Sequence, residues 1–155
     1  MHAEADQWVS RYGSVQPLQV LEIGSLNING TARVHWPNAR WLGIDRQRGP
    51  SVDVVCDFLD WETGAAFDLV VCCEVLEHAS EWRDIVGRVK PLLMSGGFFV
   101  GTCAGPLRIS HSAVDGGPLR PGEYYSNLTA DDLMNELQAA GFWRVWTFLL
   151  SCSDG

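Results

Sequence analysis

The chain has 155 residues, 46% of them hydrophobic and 19% charged, which is the balance of a single folded domain whose core needs no disulfide or metal staples. Its formal net charge of -8, from 11 Lys and Arg against 19 Asp and Glu, argues against a groove built on clustered phosphate contacts. No apolar run approaches the roughly 18 residues needed to span a bilayer, and residues 1–11 lack the apolar centre of a signal peptide. The expectation is therefore a cytoplasmic protein acting on a small molecule, with neither nucleic acid nor membrane as partner.

In chain order, Trp8, Val9 and Tyr12 lie at helical spacing before Gly13 and predict a short helix from Ala3 to Tyr12. An apolar run from Leu18 to Ile23 predicts the first strand, after which Gly24 lets the chain turn sharply. Gly30 and Thr31 offer a helix start, but Pro37 stops that helix after little more than one turn. A second strand, Trp41 to Asp45, ends in an acid 21 residues after Gly24. Strand, glycine turn and distal acid form the nucleotide-binding end of a βαβ unit, in which Asp45 accepts hydrogen bonds from ribose hydroxyls. The paired basic residues Arg46 and Arg48 follow, either as solvated side chains or as a hold on a ligand's anionic part.

Val52 to Cys56 predicts a third strand ending at Asp57-Phe58, and the near-continuous apolar run from Phe67 to Cys73 a fourth, buried on both faces. Ser80 is expected to cap a helix in which Trp82, Ile85, Val86, Val89 and Leu93 share one face, ended by Met94-Ser-Gly-Gly97. Phe98 to Cys103 predicts a fifth strand. Gly105 to Asn127 has no sustained period and is too long for an ordinary connection, which marks it as a functional loop, and Tyr124 and Tyr125 within it are candidates to line an acceptor site or to anchor the loop. Thr129-Ala-Asp-Asp132 has the form of a capping box for a helix running to Gly141, and Trp143 to about Leu150 predicts a sixth strand.

Strands alternating with helices predict a three-layer α/β fold around a doubly wound, mostly parallel sheet of six or seven strands, six if the last antiparallel strand is missing. Ligands in such sheets lie outside the carboxyl ends of the strands, where the polar clusters of this chain fall. Five cysteines, at 56, 72, 73, 103 and 152, sit mostly in apolar runs; the adjacent Cys72 and Cys73 point to opposite faces, so reduced, buried thiols are expected and no metal site. Trp36, Trp41 and Trp146 are expected in the core or an interface.

The segment Phe67-Asp-Leu-Val-Val-Cys-Cys-Glu-Val-Leu-Glu-His78, with Arg88-Val-Lys-Pro91 and Gly96-Gly97, resembles the class I, Rossmann-like methyltransferases that use S-adenosylmethionine, in particular their type 11 small-molecule branch. The resemblance runs from about Leu18 to Phe148. It implies a cofactor-binding half at 18–104, a substrate or lid loop at 105–128, a C-terminal helix and strand at 129–155, and an N-terminal helix within 1–13. It further implies that Glu22, Gly24, Ser25 and Gly30 surround the methionine part of the cofactor. Asp45, with Arg46 beside it, holds the ribose; Asp57 takes the adenine amino group, with Phe58 beside it; Cys73 and Glu74 line the cofactor after the fourth strand. Leu26 stands where the family commonly has a second glycine, and Asn27 and Asn29 offer donors for the cofactor carboxylate.

Methyl transfer from a sulfonium is an in-line displacement, so few catalytic groups are needed, and His78 and His111 are the candidates for a base acting on a hydroxyl acceptor. A plain structural part for His78, capping the loop before the next helix, and simple exposure of His111 are the alternatives. The function expected is methyl transfer from S-adenosyl-L-methionine, leaving S-adenosyl-L-homocysteine, to a small molecule at oxygen. A non-catalytic binding or assembly protein on the same fold is the other reading, with Leu26 and the missing last strand in its favour; a nicotinamide dehydrogenase lacks the GxGxxG turn it requires. An open strand edge makes a homodimer plausible.

Overall fold

The computed structural model describes residues 3–149. Their order is α1 (Ala3–Ser10), β1 (Gln19–Ile23), β2 (Arg40–Asp45), β3 (Val54–Val55), β4 (Phe67–Cys73), α2 (Trp82–Val89), β5 (Leu93–Thr102) and α3 (Ala130–Ala139), with short 3-10 turns at Ala32–His35, Leu76–His78 and Lys90–Leu92. The five strands form one sheet in the order β3-β2-β1-β4-β5, every pairing parallel. Strand order reverses between β1 and β4, which creates the crevice that doubly wound sheets use for ligands.

The sheet is buried on both faces because successive strand residues point to opposite sides. Leu21, Ile23, Ile44, Val70 and Cys72 meet Trp82, Ile85, Val86 and Val89 of α2 and Leu137 of α3 on one face. Val20, Leu69, Val71 and Val100 meet Val9 of α1, Ala32 and Trp36 on the other. Cys72 belongs to the first face and Cys73 borders the second, as their adjacency requires. Cys56, Cys72, Cys73 and Cys103 are free thiols, and burial pushes those of Cys73 and Cys103 up to about 12; Cys152 lies outside the described residues.

Sequence expectation and structure diverge in four elements. The third strand is two residues long, not five: Cys56 N–H bonds the Asp45 carbonyl, while Asp53 is spent on Gly43, donating its N–H to the carbonyl and accepting from Gly43 N–H at 2.7 Å. Ser80 does not cap α2; its hydroxyl donates to the Glu81 carboxylate at 2.7 Å and Glu81 occupies the cap position. That helix ends at Val89, because Pro91 cannot donate to a further turn, and Met94 to Gly97 belong to β5. They form an irregularity: Phe67 pairs with Leu93 but Leu69 already pairs with Phe98, so the extra residues bulge out, with Gly96 at φ +83°.

The predicted sixth strand does not form over residues 143–149, and Leu150 lies outside the described residues. Trp143, Trp146 and Phe148 there are largely exposed, so Trp146 is not a core residue, whereas Trp36 is fully buried and Trp41 packs beside it. The other helices and strands lie within two residues of their predicted ends. The aborted first helix is the 3-10 turn Ala32–His35, capped by the Thr31 hydroxyl, which accepts from Arg33 N–H. Thr129 caps α3 through Asp132 N–H, and Gly141 follows at φ +91°. No helix is long and apolar enough to cross a membrane among the described residues.

Candidate active site

A cavity of about 800 Å³ opens at the carboxyl ends of β1, β2 and β4. The ten residues that the resemblance assigns to the cofactor and the two candidate bases all line it: Glu22, Gly24, Ser25, Gly30, Asp45, Arg46, Asp57, Phe58, Cys73, Glu74, His78 and His111.

The turn after β1 is fixed from three sides. Gly24 has φ +71° and both its N–H and that of Ser25 donate to the Ile44 carbonyl, at 2.9 and 3.0 Å. A Cβ on Gly24 would stand 2.1 Å from the Val75 side chain, so this turn and the one after β4 touch only because the residue is glycine. Leu26, in the place of a second glycine, lies against Gly49, where a Cβ would meet it at 2.2 Å; the bulk is accommodated by a glycine 23 positions further along the chain. Asn27 turns its side-chain oxygen back to Gly30 N–H at 3.0 Å and is not among the residues lining the cavity, whereas Asn29 is.

Beneath the turn, Glu22 is buried and ion-paired to Arg33 Nε at 2.8 Å, and Arg33 Nη2 also donates to the Ser51 carbonyl at 2.7 Å. Burial raises the Glu22 carboxyl above its ordinary value and Arg33 works against that rise. Arg33 thus ties the end of β1 to the segment between β2 and β3.

Asp45 ends β2 with both carboxylate oxygens engaged, Oδ2 by Leu26 N–H at 3.0 Å and Oδ1 by Gln47 N–H at 2.8 Å. Each oxygen retains a lone pair for a hydroxyl donor. Asp57 accepts from Leu59 N–H at 2.9 Å and meets Arg46 Nη2 at 2.5 Å. The turn that carries Asp57 and Phe58 is held by Arg88 of α2, which donates to the Leu59 carbonyl and, at 2.6 Å, to the Trp61 carbonyl while its guanidinium lies 5.5 Å from the Phe58 ring centre.

At the far end of the cavity the chain leaves β4 through Glu74, a non-glycine residue at φ +58°, a conformation that costs energy and marks a constrained site. His78 follows in the 3-10 turn. Its ring centre is 5.0 Å from that of His111 and 5.3 Å from that of Tyr125, and His111 and Tyr125 are 5.0 Å apart, an edge-to-face trio. His78 is pulled below its ordinary value by burial first and by His111 second, which favours the neutral ring. The long loop brings His111 here because Ser112, Gly116 and Gly117 close a backbone turn, and Ser126 N–H donates to the Glu77 carbonyl at 2.8 Å. Tyr124 lines the cavity, while Tyr125 contacts the two imidazoles.

Glu77, outside the candidates the sequence offers, lies beside His78 and His111 at this end of the cavity. It is fully buried; Oε1 accepts from Ala104 N–H at 3.1 Å, and Oε2 has no hydrogen-bond partner among the described residues. Burial, with the charge of Glu74 adding to it, pushes its carboxyl up to about 8. Its signal was present, a Glu directly before the candidate His78, but only the folded loop shows that both meet His111.

Comparison with known proteins gives this geometry a context. Residues 37–101 match the family described as a methyltransferase domain, and 50 chains of known structure are similar. The chain has the class I methyltransferase fold. One similar structure is the Burkholderia thailandensis 1,6-didemethyltoxoflavin-N1-methyltransferase with bound 1,6-didemethyltoxoflavin and S-adenosylhomocysteine, at 19% identity and TM-score 0.64 over 88% of this chain and 66% of that one. Another is the N-methyltransferase NodS from Bradyrhizobium japonicum WM9 with S-adenosyl-L-homocysteine, at 23% identity and TM-score 0.52 over 63% of this chain and 59% of that one. A third is the CcbJ methyltransferase from Streptomyces caelestis, at 20% identity and TM-score 0.59 over 89% and 82%. The chain thus spans less than two thirds of the length of the first two methyltransferases. No curated protein matches it.

Proposed function

We propose that this methyltransferase-fold chain binds S-adenosyl-L-methionine in the cavity at the ends of β1, β2 and β4 and transfers its methyl group to a small molecule, leaving S-adenosyl-L-homocysteine. The observation that carries the proposal is the meeting, in one cavity, of a positive-φ Gly24 with no room for a side chain, Asp45 at the end of β2 and Asp57 after β3. The bound S-adenosylhomocysteine named for two structural neighbours supports the same cofactor. In this reading the Gly24 turn, with Glu22, Ser25 and Gly30 around it, faces the methionine part. Asp45 and Arg46 flank the ribose. Asp57 and Phe58 flank the adenine, so the Arg46–Asp57 ion pair must adjust as adenine enters, and Cys73 and Glu74 lie along the middle.

The acceptor then sits under residues 105–128, near His78 and His111. A hydroxyl must lose a proton before it attacks the methyl group, and a neutral imidazole is able to take one. This favours oxygen as the acceptor atom, with His78 or His111 as the base. The names of two neighbours, both N-methyltransferases, favour nitrogen. Labelled-methyl transfer from S-adenosylmethionine to paired acceptors, a phenol and the matching aniline, decides the atom. Label on the phenol supports oxygen, label on the aniline alone replaces it with nitrogen, and cofactor binding without transfer to any acceptor favours the non-catalytic reading. The reading includes a cytoplasmic protein and a homodimer through the open edge at β5, where the sheet ends among the described residues. A monomeric mass in solution would remove the dimer.

A further inference from the structure

Glu77, His78 and His111 each present a ligand atom, a carboxylate oxygen and two ring nitrogens, and all three atoms lie within 4.8 Å of one another. Packing explains Glu77 and His78 poorly, whereas His111 also meets the Ile109 carbonyl through Nδ1 at 3.1 Å. Glu77 is 0% exposed, yet one of its oxygens has no hydrogen-bond partner among the described residues, and leaving a buried carboxylate oxygen in that state costs free energy. Nδ1 of His78 is likewise buried and without a partner among the described residues. Two orphaned lone-pair atoms from adjacent residues, joined by a third from a loop some thirty positions away, form a converging donor set open to the cavity through His78 and His111.

We infer that Glu77, His78 and His111 bind a first-row divalent cation of the zinc class at the acceptor end of the cavity. The proposal rests on the reading of that end as the acceptor site. Two imidazoles and one carboxylate suit zinc, cobalt, manganese or iron(II); magnesium and calcium prefer sites made of oxygen alone. Metal–nitrogen bonds of about 2.0–2.1 Å set tetrahedral ligands roughly 3.4 Å apart, so the three groups need close in by only about 1.4 Å or less. Three protein ligands also leave a coordination position open. The edge of the site is anchored: Glu77 Oε1 is held by Ala104 N–H, and the Glu77 carbonyl accepts from Ser126 N–H. Glu74 lines the cavity nearby and adds a second carboxyl group whose charge a dication would offset. A hydroxyl acceptor in the open position would release its proton to solvent; its oxygen lone pair then forms the O–CH3 bond as the S–CH3 bond breaks, with that electron pair remaining on sulfur. The imidazoles then act through the cation, and neither has to take the proton itself.

The test uses the untagged full chain, stripped with chelator and titrated with Co²⁺ by absorption, with Zn²⁺ in competition. One equivalent of Co²⁺ with ligand-field bands, displaced by Zn²⁺ and weakened at least about tenfold in His111→Gln, supports the site. The absence of saturable binding, or binding unchanged in both His111→Gln and His78→Gln, overturns it. Glu77→Gln is compared only if its circular dichroism matches the parent; the loop variant His111→Gln keeps the test decisive if it does not. Calorimetry with S-adenosylhomocysteine on the same preparation separates the two readings. Cofactor binding without Co²⁺ binding defeats the metal site alone, whereas Co²⁺ binding without cofactor binding supports the site and defeats the cofactor reading.

Discussion

Gly24 shows how one residue governs the cleft. Two separate effects oppose any side chain there, the positive φ and the 2.1 Å approach of Val75, so Gly24→Ala is expected to destabilise the fold by about 1–3 kcal/mol in denaturant unfolding. Adding Val75→Ala removes the steric half and leaves the backbone half; full recovery in the double variant would show that φ matters little. Arg33 is the second residue on which the site depends. Arg33→Ala strands the buried Glu22 carboxylate and frees Ser51, for an expected loss of about 2–4 kcal/mol, moderated because Glu22 can take up a proton. Arg33→Lys should recover little, since an ammonium cannot reach Glu22 and the Ser51 carbonyl with one planar fork; a lysine variant as stable as the parent would contradict that account. Gly24 and Asp45 were legible in the sequence because a turn glycine and a strand-ending acid are local signals. The partner of Leu26 was not, since the glycine that makes room for it, Gly49, is distant in sequence and says nothing by itself.

At the scale of elements, the strands that read most clearly, β1, β2 and β4, are the ones buried on both faces, where an uninterrupted apolar run has no other use. Edge elements were less legible. In β3 and β5 pairing is decided by contacts that no periodicity encodes, Asp53 with Gly43 in one case and the shift between Phe67 and Leu69 in the other. The stretch Met94 to Gly97 looked like a helix stop because glycines mark a bulge and a cap alike. The N-terminus of α3 provides a clean element-scale test. Thr129→Ala removes the cap on Asp132 N–H and should cost about 1 kcal/mol in equilibrium unfolding. The Thr129 hydroxyl also holds the Asp132 carboxyl below its ordinary 3.8. A depressed acid contributes stability that is complete above its unfolded value and fades as pH falls through the lower folded one, so the difference between parent and Thr129→Ala should shrink below about pH 3.8. A difference that grew in acid would refute the assignment.

At the scale of the whole molecule, the sheet order β3-β2-β1-β4-β5 gathers at one edge what the chain spreads over ninety residues, from Glu22 to His111. The cofactor half of this gathering was legible because each contribution ends a strand, and strand ends in a parallel sheet share an edge. The acceptor half was legible only as single residues: His78 and His111 were named as alternatives, while their contact with each other, with Tyr125 and with Glu77 depends on how residues 105–128 fold back. The central claim concerns the cofactor, and it is tested most directly by calorimetric titration of S-adenosylhomocysteine into the parent chain and into Asp57→Ala, which keeps Asp45 and its two backbone hydrogen bonds. The account predicts saturable one-to-one binding by the parent, weakened about tenfold or more in the variant, as expected for losing a hydrogen bond to a charged group. No heat at millimolar ligand, or equal affinity in the two proteins, would contradict it.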